Sequence, residues 1–166
     1  NDVVIYTDGS CLGNVNVQER NNPAGFGCLV LSQWNHADER AAVIQAELYG
    51  PVELNESSST FFGATVKSNN TAELTAIGEA LLYVQSHCQH ADKIVIRYDS
   101  IYAANTVQGF FNGEKNEKLY QNIRKVYEEV KKSRTVLFSH VKGELHSINK
   151  GILLSSYPLS FFLSFF

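Results

Sequence analysis

The run Val3-Val4-Ile5-Tyr6-Thr7-Asp8-Gly9-Ser10 opens with five β-branched or aromatic residues and closes on Asp-Gly-Ser. A run with no polar alternation predicts a strand buried on both faces, and Asp8-Gly9-Ser10 predicts a turn after it. A second run has the same form: Ile94-Val95-Ile96-Arg97-Tyr98, followed by Asp99-Ser100. Strands buried on both faces belong to sheets sandwiched by helices, so the pair points to an α/β fold.

Between and beyond these two runs the pattern alternates between strand and helix. Gly25 to Leu31 reads as a second strand and Thr60 to Val66 as a third, with Ala41 to Leu48 a competing strand and Asn55 to Ser59 a loop. Leu74, Ile77, Leu81 and Val84 fall at helical spacing, with Asn69 or Asn70 as cap and Glu73 in the first turn. Ser100 caps a short helix through Val107, which Gly109, Asn112 and Gly113 break. Leu119, Ile123, Val126 and Val130 form another stripe, and Val136 to Val141 reads as the last strand. The expected order is β-β-β-α-β-α-α-β, a mixed five-stranded sheet flanked by helices, in one domain over residues 1–150.

The composition of the 166 residues, 44% hydrophobic and 19% charged, excludes a disordered, collagenous or disulfide-scaffold chain. The net charge of −3 is unevenly spread. Residues 1–108 hold 5 Lys/Arg and 12 Asp/Glu (−7), and residues 109–166 hold 9 and 5 (+4). Cys11, Cys28 and Cys88 have neither disulfide-framework nor zinc-site spacing, so reduced thiols and an intracellular setting are expected. His87-Cys88-Gln89-His90 reads as a helix end rather than a metal site. No signal peptide is visible. The chain holds no Met, so Asn1 reads as an internal position of something longer.

The chemistry is expected where the strands end. Asp8 and Asp99 follow the two buried runs, and ligands of open α/β sheets sit at the carboxyl ends of strands. Glu73, at a helix start, completes a group of three. Taken singly, each acid has an ordinary reading as a cap or a solvated side chain. Brought together they repel one another, and a divalent cation with oxygen ligands and retained waters, such as Mg²⁺, removes that cost. Two such ions, with Mn²⁺ as a substitute, serve phosphodiester hydrolysis.

The surrounding text narrows this reading. TDGSCLGN (Thr7 to Asn14), AGFG (Ala24 to Gly27), SNNTAEL (Ser68 to Leu74), YDS (Tyr98 to Ser100) and HVKG (His140 to Gly143) together resemble ribonuclease H of type 1. The resemblance implies the ribonuclease H-like fold and cleavage of the RNA strand of RNA–DNA hybrids, leaving 5′-phosphate and 3′-hydroxyl ends. It implies that Asp8, Glu73 and Asp99 are three of four metal-binding carboxylates. It places Ser10, Cys11, Gly13, Asn14, Asn69, Asn70 and Thr71 on the substrate side, with Asn14 and Asn69 near the 2′-hydroxyls that mark RNA. His146 stands in for a loop histidine, two places late, unless Glu144 occupies that slot.

The departures carry expectations too. Asn149-Lys150-Gly151 resembles the approach to the fourth carboxylate, but Ile152 and Leu153 follow, and no Asp or Glu comes after Glu144. Weakened activity, or a shift toward Mn²⁺, is expected. Ile101 stands where relatives tend to place a polar residue. The Lys and Arg residues of 114–134 are interleaved with four Glu and offer only weak backbone contacts to nucleic acid. Residues 151–166 form an atypical apolar tail. Its last 15 residues hold ten apolar or aromatic side chains, four Ser and Pro158, too short a run to span a membrane. An altered ending explains it best, and the protein is expected to be a monomer or part of a larger polypeptide. The competing function is a catalytically inactive module of the same fold that binds nucleic acid or a protein. An integrase-like core shares the carboxylate logic but not the TDGSCLGN and SNNTAEL texts, and no P-loop, GxGxxG or GxSxG motif is present.

Overall fold

The computed structural model describes residues 2–13, 22–33 and 42–141. Asn14, Glu144, His146 and the apolar tail lie outside the described residues. The element order is β1 (Asp2–Cys11), β2 (Ala24–Ser32), β3 (Val43–Pro51), α1 (Asn69–His87), β4 (Lys93–Tyr98), α2 (Ile101–Gln108), α3 (Glu117–Lys131) and β5 (Thr135–His140). The strands form one sheet in the order β3-β2-β1-β4-β5. β1 is antiparallel to β2 and parallel to β4, β2 is antiparallel to β3, and β4 is parallel to β5. This is the expected mixed five-stranded α/β architecture.

β1 is central, and Val3, Val4, Ile5 and Tyr6 are at most 4% exposed on both of its faces. That is why its sequence is an unbroken apolar run. Val3 and Ile5 join Ile94 and Ile96 of β4 in the main core, while Val4, Tyr6 and Leu31 form a smaller cluster on the other face. α1 lies on β1 and β2 and packs against α2 and α3. Gly78 of α1 allows α3 to come close, since a Cβ there would stand 3.0 Å from the Ile123 side chain. Leu119, Tyr120, Ile123, Tyr127 and Val130 are the buried stripe of α3.

Four local expectations need correction. β1 does not end at Thr7, because Asp8 through Cys11 continue to pair with Gly27 through Ala24 of β2. The third strand is Val43–Pro51, overlapping the competing reading, whereas Thr60 to Val66 is irregular and packs beneath α3. There the Phe62 carbonyl accepts from the Asn122 amide at 2.7 Å. The cap of α1 is Ser68, not Asn69 or Asn70. Ser68 and Thr71 bond reciprocally, side chain to backbone N–H, at 3.1 and 2.8 Å. Because α1 begins at Asn69, Glu73 sits in its second turn rather than its first. Ser100 caps α2 as expected, accepting from the Ala103 N–H at 3.2 Å. No helix among the described residues is long and apolar enough to cross a membrane.

Candidate metal centre

Three elements deliver the three acids to one place. Thr7, 1% exposed, donates its hydroxyl to the Arg97 carbonyl at 3.2 Å and fixes β1 against β4. Asp8 therefore follows at a set height on the sheet, and Asp99 follows β4 on the adjacent strand. α1 crosses directly above the next residue, Gly9. A Cβ at Gly9 would lie 2.3 Å from the Ala72 carbonyl carbon and the Glu73 nitrogen, so only glycine admits the helix there. This close crossing carries Glu73 onto Asp8.

Carboxylate oxygens of Asp8, Glu73 and Asp99 all lie within 4.8 Å of one another. The cluster runs from inside to outside, with Glu73 only 9% exposed and Asp99 open to solvent. Burial, reinforced by the charges of Asp99 and Asp8, pushes the Glu73 carboxyl up to about 9, against a partial offset from the Gly9 backbone hydrogen bond. Without a counter-charge, Glu73 thus keeps its proton at neutral pH, and a cation among the three oxygens would release it. The donor set is all oxygen, is carried by β1, α1 and the residue after β4, and opens outward where water can complete a shell. It fits a hard divalent cation.

Around the cluster, the Cys11 N–H donates to the Asn69 Oδ1 at 2.7 Å and ties the end of β1 to the start of α1. Ser10 is exposed, and Asn69 and Asn70 are partly exposed beside it in the fold. Gly13 turns the chain at φ 84°. Thr71 is fully buried and committed to the cap, so the surface of this helix start belongs to Asn69 and Asn70. Cys11, Cys28 and Cys88 are all buried and free of disulfides, and burial raises the Cys11 thiol above its ordinary value. Ile101 is 54% exposed at the first residue of α2.

Two contributors have no forecast in the sequence reading. Gly9 reads as part of a turn, although its role is a missing side chain under α1. His140, quoted above only within a motif, sits at the end of β5 with its Nε2 3.2 Å from the Asp99 carbonyl oxygen. The parallel register that pairs Tyr98 with His140 is the signal that links them.

The family model for RNase H matches residues 1–151. The chain belongs to the RNase H family. Among curated relatives, the family's Ribonuclease H of Rickettsia bellii (strain RML369-C) is 30% identical over 159 residues, covering 90% of this chain and 81% of the relative. Ribonuclease HI of Rickettsia conorii (strain ATCC VR-613 / Malish 7) is 30% identical over 163 residues, covering 90% and 82%. Solved RNase H structures share the fold. RNase H1 from the halophilic archaeon Halobacterium salinarum NRC-1 superposes with a TM-score of 0.59 at 21% identity, covering 86% of each chain. LC11-RNase H1, solved in complex with an RNA/DNA hybrid, gives 0.57 at 20% identity, covering 93% of this chain and 99% of the other.

Proposed function

We propose that this chain is an endonuclease that hydrolyses the RNA strand of RNA–DNA hybrids, with Mg²⁺ held by Asp8, Glu73 and Asp99. The observation that carries this is the meeting of three carboxylates within 4.8 Å, contributed by β1, α1 and the end of β4 in a chain of the RNase H family. When bound, a pair of divalent cations makes water a nucleophile near neutral pH and offsets charge developing on the phosphodiester. The chain's own groups do the rest. Glu73 anchors the buried side of the cluster, while the open side at Asp99 faces the substrate. Asn69 accepts from the Cys11 N–H, which fixes its side chain at the start of α1, on the side where a 2′-hydroxyl of the RNA strand would be met. Ser10 and Asn70, at the ends of β1 and α1, flank this approach with Gly13 and Asn14 next in sequence after β1, while the buried Cys11 and Thr71 hold those two ends in place. His146 takes the place of the family's loop histidine and moves a proton at the scissile phosphate.

In the same reading, residues 1–150 are the catalytic domain and 151–166 an appended tail. The chain works as a monomer or as part of a larger polypeptide, away from membranes. Three buried free cysteines support an intracellular, reducing setting. The test is cleavage of a labelled hybrid in Mg²⁺ and in Mn²⁺ beside Asp8→Asn. Cleavage that Asp8→Asn abolishes is expected, with Mn²⁺ the better metal because residues 145–166 contain no Asp or Glu. Hybrid binding without cleavage in either metal would overturn the proposal in favour of an inactive module.

A further inference from the structure

Asp99 occupies a gap in the backbone scaffold. β4 ends at Tyr98, Ser100 is the cap of α2, and α2 begins at Ile101, so Asp99 belongs to neither element. The parallel ladder between β4 and β5 has its last rung just before it, where the Val141 N–H donates to the Tyr98 carbonyl at 2.8 Å. The next carbonyl in the chain is that of Asp99. Among the described residues it is the His140 ring that reaches it, with Nε2 at 3.2 Å. A carbonyl only accepts, so the bond requires the proton on Nε2. The ring is itself placed by the Tyr98 ring, 5.4 Å between centroids and tilted by 37°. A side chain thus extends the ladder by one bond past the strand, at the residue that carries the outermost carboxylate.

We infer that His140 is a positioning residue for Asp99. It holds the Asp99–Ser100 peptide so that the carboxylate is aimed at Asp8 and Glu73. Mg²⁺ accepts little departure from octahedral geometry, so a rotation of this peptide that displaces the carboxylate costs cation affinity. Glu73 has the core around it and Asp8 is held in the β1–β2 ladder opposite Gly27, whereas Asp99 is exposed and has this side-chain rung. The inference rests on the proposed metal site and adds a residue to it.

The experiment measures Mn²⁺ binding to the full chain, by electron paramagnetic resonance or calorimetry, in wild type, His140→Phe and His140→Gln. Phe keeps a ring against Tyr98 without the donor, and Gln keeps a donor without the ring. Outer hydrogen bonds to metal ligands are commonly worth at least tenfold in affinity, so His140→Phe should weaken Mn²⁺ binding by about tenfold. It should also lower kcat more than it raises KM for the hybrid. His140→Gln should recover most of the loss, with metal-free melting similar in all three. Wild-type-like Mn²⁺ binding in His140→Phe would overturn the inference, as would His140→Gln failing as badly as His140→Phe. Failure of the wild-type chain to bind Mn²⁺ would overturn the metal site itself, and the positioning role with it.

Discussion

α1 and α3 lie against each other yet obey opposite rules. α3 buries one stripe and turns Lys131 and Lys132 outward to pair with Glu128 and Glu129 at 3.2 and 2.6 Å. α1 is enclosed almost all round, from Thr71 through Gly78 without a break. A carboxylate on α3 stays in water and costs nothing. Glu73 on α1 is stripped of water beside two other acids, an arrangement with no structural benefit and a clear use. The difference teaches that the ionisable group worth explaining is the one on the enclosed stretch of a helix.

Glu73→Gln tests this most sharply. Cleavage should fall on the order of 10³-fold, the scale of losing a central electrostatic group, as read from single-turnover rates on a hybrid. The same variant should remove a pH dependence. Because the folded carboxyl titrates near 9 against an ordinary value of 4.5, the folded chain holds a proton that the unfolded chain gives up between those values. Metal-free stability is therefore full below about pH 4.5 and declines as pH rises to about 9, and Glu73→Gln should flatten that decline in urea titrations. An unchanged slope would show that Glu73 is not desolvated as described.

Next in size is Gly9→Ala. The obstacle is backbone of α1, which cannot swing aside, so the loss should reach about 3 kcal/mol, the upper range of overpacking. Urea denaturation measures it, and a loss below 1 kcal/mol would mean that α1 can lift from β1. Thr71→Ala removes the reciprocal cap and leaves the buried Ser68 N–H without its partner, a loss of about 1–2 kcal/mol in the same assay. On α3, Glu129→Ala breaks only an exposed pair, and its effect should stay within about 0.5 kcal/mol. Should Glu129→Ala match Thr71→Ala, the contrast between the two helices would fail.

The contrast also explains what was legible. Central strands β1 and β4 are built on the apolar runs Val3–Tyr6 and Ile94–Ile96, and α2 is bracketed by Ser100 and Gly109, so these elements announce themselves. The three acids are legible because the two aspartates punctuate such runs. β3 is the edge of the sheet, partly exposed, with Glu47 within it and a register shift opposite Val30 and Leu31 that blurs its alternation. Its signal is weaker than that of Thr60 to Val66, whose apolar residues are covered by α3 without being a strand. The Asp-Gly-Ser of β1 stays extended because β2 pairs with it, which no local rule reveals. Ser68 caps α1 because Thr71 answers it, where the familiar partner is Glu or Gln. Gly9 and His140 act through partners distant in sequence, so their roles emerge only from packing and register.

Asp8, Glu73 and Asp99 are distant in the chain, and only the closed β1–β4 pair and the α1 crossing over Gly9 unite them. The unfolded chain therefore has no comparable cation site, and a cation bound to the cluster stabilises the native state alone. Proteases act on the opened chain, so the lifetime of the protein in a cell should lengthen with the free concentration of its cation. Metal scarcity would then lower the abundance of the enzyme as well as its turnover.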